Sequence, residues 1–174
     1  MVEVTVESIR VSLITQHRLV VLRENGSQRY LPIYIGPFEA EAITMGLQRS
    51  EVLRPMTHDL LRGLIEQLGA EVEHIFINDL QDDTFYAQIV LDVDGRTVEV
   101  DSRPSDAIAL AVRLAVPIFV NEEVMDRAGQ VPAAEFETAD QPSSRGNGDQ
   151  LQVFREFVDE LDLDLDLGEG DPED

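Results

Sequence analysis

No cysteine occurs in the 174 residues, so a disulfide, a thiolate metal site and a cysteine nucleophile are all excluded. Lysine is missing as well: all 13 basic residues are arginine. Only three histidines are present, too few to expect a zinc hydrolase built on imidazole ligands. No apolar run approaches the roughly 18 to 20 residues that a bilayer-spanning helix needs, which predicts no membrane partner. The first residues, Met1 to Ile9, carry neither a basic stretch nor a small-residue cleavage site and alternate apolar with polar, so they predict a strand rather than a signal peptide. Cytoplasmic placement is the resulting expectation. A phosphate-binding glycine loop, a dinucleotide fingerprint, a serine elbow and a His-Glu-x-x-His helix are also absent.

What is present in excess is acid. Thirty-five Asp and Glu against 13 arginines give a net charge of −22. Such self-repulsion destabilises a compact state at low salt, and at about 1 M salt a Debye length of roughly 3 Å screens most of it. A salt-rich cytoplasm explains that composition and the missing lysine; a codon bias towards arginine explains the missing lysine alone. The charge is unevenly placed. Residues 1 to 62 hold seven arginines and seven acids, residues 63 to 131 four and fourteen, and residues 132 to 174 two and fourteen. A polyanion is therefore expected on the N-terminal part.

Along the chain, three strand-like runs (Val2 to Leu13, Leu19 to Arg23, Arg29 to Ile35) precede a helix opened by Pro37, with Phe38, Ala42, Ile43 and Leu47 at helical spacing. A second helix begins near Pro55 and Thr57 and stops at Gly69. The pattern then recurs: strands at Val72 to Asn78, Thr84 to Val93 and Thr97 to Asp101, a turn at Asp94-Gly95, and a helix from Pro104 to Leu114. At an offset of 67, Arg29 falls on Arg96, Pro37 on Pro104, Glu39 on Asp106, Ala42 on Ala109 and Leu47 on Leu114, while Val6-Glu7-Ser8-Ile9 matches Val72-Glu73-His74-Ile75. This predicts an α+β fold in which an internally duplicated β-β-β-α unit forms one compact domain over residues 1–131. A short strand at Pro117 to Val120 and a short helix at Glu122 to Arg127 complete it. Residues 132–150 have linker composition, and residues 151–174 read as an acidic amphipathic helix and tail, with Leu151, Phe154, Phe157, Val158 and Leu161 on one face.

Two constellations could carry chemistry. Each helix-opening proline is followed two residues later by an acid, Glu39 and Asp106. An acid in a first helical turn complements the macrodipole and satisfies orphan amides, and that is one reading. The other brings the two carboxylates to a common cleft, where they could hold Mg²⁺ or Mn²⁺ through oxygen ligands. Geometry separates the two: carboxylate oxygens within roughly 5 Å in an open cleft allow a cation, whereas arginines neutralising both do not. The second constellation is Thr57-His58-Asp59 at a helix start. Thr57 as cap and Asp59 as dipole partner account for much of it; His58 is also a candidate acid/base or phosphate contact, because an imidazole titrates near neutrality. The cluster Asn78 to Asp83 reads as a polar turn, since it lacks the glycine and distal glutamate of a calcium loop.

Three blocks, Leu31 to Ile43, Arg54 to Leu61 and Asp101 to Ala111, in this order and spacing, resemble the bifunctional nuclease family over roughly residues 3 to 128. The resemblance implies a compact α+β fold, action on both RNA and DNA, and homo-oligomers. It points to Glu39, Glu41 and Asp106 as metal ligands and to His58, Asp59, Arg103 and Ser105 as catalytic or phosphate-contacting residues. Some relatives carry a basic, charged C-terminal partner-binding motif; the acidic tail here departs from it. Two expectations follow. One is a metal-assisted phosphodiesterase; the other is a non-catalytic oligomeric or regulatory module whose acidic C-terminal helix binds a protein partner.

Overall fold

A computed structural model describes residues 1–11, 17–50 and 52–131, and the expected linker and C-terminal helix lie outside the described residues. The element order is β1 (Val2–Val11), β2 (Arg18–Glu24), β3 (Tyr30–Ile35), α1 (Pro37–Leu47), α2 (Thr57–Gln67), β4 (Ala70–Gln81), β5 (Thr84–Val93), β6 (Arg96–Ser102), α3 (Pro104–Leu114), β7 (Ile118–Val120) and α4 (Glu122–Ala128). The strands form one seven-stranded sheet in the order β3-β2-β1-β7-β4-β5-β6. The α+β class expected from the sequence is what the chain adopts.

Each run of three strands is an antiparallel meander, and each leads into a proline-opened helix. The short β7 joins the two meanders, antiparallel to β1 and parallel to β4. Two-residue turns fix the register of the second meander. Asp82 and Asp83 connect Gln81 to its partner Thr84, and Asp94-Gly95 connect Val93 to Arg96. All four turn residues have positive φ, between 46° and 76°, the type I′ geometry whose twist matches that of paired strands. The polar turn expected over Asn78 to Asp83 is thus shorter than its composition suggests. Leu80 faces the core and holds β4 in the sheet as far as Gln81.

Bulges account for apolar positions that break a period of two. In β1, Val6 pairs with Leu22 and Ser8 with Val21, so Glu7 is an extra residue. Side-chain parity therefore switches there, and Val2, Val4 and Val6 join the core before the bulge but Ile9 after it. Strand β4 has the same device at Glu73 and another at Asn78, which moves the core positions from Val72 to Ile75 and Ile77 and then to Leu80. Glu7 and Glu73 are matched positions of the sequence repeat.

The helices supply the other half of the core. Helix α3 buries Ala107 to Ala111 entirely; its alanines let it lie close to β4 and β5, while Ile108 and Leu110 fill the space around Ile75, Ile77 and Ile89. Helix α1 packs alongside α3. Their first turns are joined by an ion pair between Arg103 and Glu39, and near their ends Gly46 lies against Val112 and Arg113. A Cβ at Gly46 would stand 2.5 Å from Val112 Cγ2 and 3.0 Å from Arg113 Nη1. Gly46→Ala should therefore destabilise the domain by about 1 to 3 kcal/mol despite the better helix propensity of alanine. A thermal midpoint equal to or above that of the parent would show that the helices separate freely.

Candidate active site

Three helices begin around one cleft of about 300 Å³, which is lined by Phe38, Glu39 and Glu41 of α1, Met56, Thr57 and His58 at the start of α2, and Arg103, Asp106 and Arg113 around α3. Each helix places an acid at its third position: Glu39, Asp59 and Asp106. The location follows from local chemistry, because a first turn leaves amide donors unpaired and an acid there answers both them and the positive end of the dipole. Glu39 folds back over Gly36, where any side chain would collide with its carboxylate. In α2 the capping differs from the sequence expectation. Met56, with extended backbone, is the cap residue; its N–H donates to Asp59 Oδ2 at 3.0 Å, and Thr57 enters the helix as its first residue.

The structure brings four of the expected residues together. Arg103 donates from Nε to Asp106 Oδ2 (2.8 Å) and from Nη2 to Asp106 Oδ1 (3.1 Å), and its Nη1 lies 3.1 Å from Glu39 Oε1. His58 Nε2 donates to Asp106 Oδ1 at 3.3 Å. Asp106 thus receives a guanidinium on one side and an imidazole on the other. That guanidinium is held above its already high ordinary pKa, first by its hydrogen bonds to Asp106 and then by the charges of Asp106 and Glu39. His58 is only 12% exposed, whereas Arg103 is 66% exposed and forms the outer wall of the cleft.

Asp59 does different work. It accepts from Arg113 Nε at 2.8 Å, and Arg113, 7% exposed, also donates to the carbonyls of Ala42 and Ala109. One arginine therefore ties α1, α2 and α3 together behind the cleft. Burial by itself would raise the Asp59 carboxyl; the Met56 amide and the Arg113 guanidinium outweigh it and hold the group below the usual carboxylate range. Glu41 lines the cleft without an ion pair among the described residues. Ser105 is buried at 7% and lines a neighbouring cleft that shares Glu39 and Arg103 with this one. Arg113 belongs to none of the sequence constellations, although a lone charge within Ala109-Leu110-Ala111-Val112-Arg113-Leu114 signals a buried partner.

Glu39 and Asp106 have the oxygen chemistry a divalent cation takes, but Arg103 neutralises both, and a cation would compete with it for the same oxygens. Among the described residues no group of three or more His, Asp or Glu is arranged to hold a metal ion. With Arg103 in place, its guanidinium takes up both carboxylates.

The fold and cleft define a small α+β domain with a site that sets an arginine and an imidazole at the convergence of three helix starts. The profile of the bifunctional nuclease domain matches residues 20–133, and the chain belongs to that family. It is similar to an uncharacterised protein of Mycobacterium tuberculosis, 41% identical over 162 residues that cover 93% of this chain and 96% of that one. It is also similar to bifunctional nuclease 1 of Oryza sativa, 28% identical over 133 residues, which are 72% of this chain and 40% of the rice protein. Bifunctional nuclease 1 of Arabidopsis thaliana is 29% identical over 110 residues, 61% of this chain and 34% of its own length. This chain thus spans well under half of either plant relative. Among the described residues no helix is long and apolar enough to cross a membrane.

Proposed function

We propose that this protein hydrolyses phosphodiester bonds of RNA or DNA at the cleft between the starts of α1, α2 and α3. The observation that carries the reading is His58, held by Asp106 beside an exposed Arg103, at a place where three helix dipoles point their positive ends. Arg103 can exchange a carboxylate for a phosphate oxygen, since its fork matches both. With Asp106 holding the ring through Nε2, the other ring nitrogen, Nδ1, is the one left to hand a proton to the leaving oxygen as water attacks phosphorus. The P–O bond to that oxygen breaks, and the proton shed by the water passes to solvent. Asp59, although adjacent to His58 in sequence, acts through Arg113 by fixing α2. Ser105 lines the neighbouring cleft together with Arg103.

A role for Mg²⁺ or Mn²⁺ at Glu39, Glu41 and Asp106 belongs to the same proposal and requires that Arg103 leave the two carboxylates. The test is cleavage of single-stranded RNA and DNA by the purified chain in EDTA, Mg²⁺ and Mn²⁺, at low and high salt. Cleavage that survives EDTA assigns the work to His58 and Arg103; cleavage that needs the ion and is lost in Glu39→Ala assigns the carboxylates to it. A chain inactive under every condition contradicts the proposal.

One observation favours the second reading, a non-catalytic module: the charged residues of the cleft satisfy one another through Arg103. Leu53, Leu60, Leu64 and Leu68 are meanwhile exposed on or near α2, an apolar surface of the kind that marks an interface. On this reading the chain is a homo-oligomer, and its acidic C-terminal residues engage a protein partner in the cytoplasm. The sequence repeat, the paired meanders and the matched bulges at Glu7 and Glu73 support an origin by internal duplication under either reading.

A further inference from the structure

The cleft that holds His58 is locally acidic. Glu39, Glu41 and Asp106 face Arg103 and Arg113 there, a poor balance for a strand that carries a negative charge at every phosphate. A second cleft of about 290 Å³ adjoins it and shares Met45 and Arg113 with it. Among the described residues this second space is lined by Arg49, Ser50, Arg62 and Arg113 against one acid, Asp59, which Arg113 already neutralises at 2.8 Å. Arg49 and Arg62 remain. Arg62 meets Glu66 at 3.6 Å with both side chains about half exposed, an arrangement that contributes little and is readily exchanged. Arg49 follows the end of α1 with φ 49°, an uncommon left-handed conformation for a residue with a side chain. In a chain of −22, whose Arg23, Arg29, Arg103 and Arg113 are all bound to carboxylates, this local excess of arginine among the described residues is unusual.

We propose that Arg49 and Arg62 form a second phosphate subsite, which holds a phosphate of a single-stranded nucleic acid flanking the one presented to His58. The inference rests on the phosphodiesterase reading for the identity of the ligand and extends it from a point of reaction to a strand path. Phe38, 80% exposed on the rim of the His58 cleft, suits a stacked base along that path. The flanking site would supply the attraction that the acidic reacting cleft lacks. Arg113 and Met45, shared by both clefts, make them neighbours on one continuous surface.

The test uses the full chain, fluorescence anisotropy, and labelled thymidine oligonucleotides, with KCl varied from about 50 to 200 mM. The parent should bind an octanucleotide with a steep salt dependence and a dinucleotide, with its single phosphate, more weakly. In Arg49→Gln/Arg62→Gln the octanucleotide affinity should fall roughly tenfold, and its log–log salt slope should fall by about 0.7 for each phosphate that is no longer neutralised. Dinucleotide binding and hydrolysis of bis(p-nitrophenyl) phosphate, which has no flanking phosphate, should not change. The same charge change at Arg96→Gln/Arg127→Gln should leave octanucleotide binding within about twofold, because it alters only the long-range field. An unaltered slope in the Arg49/Arg62 variant, equal losses for both oligonucleotides, an equal loss in the Arg96/Arg127 variant, or no octanucleotide binding by the parent each overturns the subsite. So does inorganic phosphate that competes as well as the octanucleotide, which would make the cleft a free-anion site. Thermal midpoints of both variants separate a folding defect from a binding one. A parent that binds with the expected slope but cleaves nothing keeps the subsite and contradicts the phosphodiesterase reading; one that cleaves while the variant binds like the parent does the reverse.

Discussion

Asp59→Ala should lower the stability of the domain by about 3 kcal/mol, on the order of 10 °C in the thermal midpoint. Arg113 is 7% exposed, and its charge would lose the one carboxylate among the described residues that meets it, while the Met56 amide would lose its acceptor. Removing one partner of a fully buried pair costs about 3 to 5 kcal/mol; the lower end applies because Asp59 is a quarter exposed. A double variant, Asp59→Ala/Arg113→Met, should recover part of the loss, since no unpaired charge then remains. The acid limb of the stability curve carries the same signature. The Asp59 carboxyl is held below its ordinary value, so its contribution is complete above about pH 4 and disappears as pH falls through the lowered value in the folded chain. Asp59→Asn should remove that share of the acid dependence. A midpoint within about 2 °C of the parent would mean that Arg113 is solvated and that α2 is held by apolar contacts alone.

His58→Ala should slow strand cleavage by about 10² to 10⁴ with the thermal midpoint nearly unchanged. Among the described residues the ring makes one side-chain hydrogen bond, to Asp106, at 3.3 Å, so its loss should leave the helices in place. Asp106→Asn should give an intermediate loss, because the amide keeps an acceptor for His58 but gives up the charge that helps to fix Arg103. The order of the two effects matters as much as their size. If Asp106→Asn is worse than His58→Ala, the carboxylate rather than the imidazole is the principal group, as the metal reading expects. If both variants cleave like the parent, the chemistry lies elsewhere on the molecule.

Much of this arrangement is legible in local sequence. Pro37 and Pro104 each mark a helix start because a proline at a first helical position needs no amide partner, and Asp94-Gly95 marks a turn because both residues tolerate positive φ. From those starts Glu39 and Asp106 follow as first-turn acids, and the fold brings both to the lining of one cleft. The bulges at Glu7, Glu73 and Asn78 are not legible: each inserts one residue relative to a partner strand, and that partner is set by pairing rather than by the strand's own composition. Nor is the cap of α2. A threonine before His58 looks like a cap until the Asp59 carboxylate is seen to reach Met56 first. Arg103 reads as a phosphate ligand in the sequence, but its bridge from Asp106 to Glu39 depends on two helices meeting across the fold, a distance in sequence of more than sixty residues. Arg113 is hidden for the same reason, since Asp59 and the Ala42 carbonyl come to it from other helices.

Whether a phosphodiester strand enters this cleft can be read from the imidazole itself. The chain has three histidines, of which His58 alone lines the cleft, so its ring resonances can be assigned by comparison with His58→Ala. Titration with a phosphorothioate-substituted oligonucleotide, which resists cleavage, should shift the His58 ring signals and the Arg103 Nε–H signal in saturable fashion at one common affinity. Those of His17 and His74 should stay in place. Saturable strand binding that leaves His58 and Arg103 unmoved would contradict the assignment of this cleft as the site of hydrolysis.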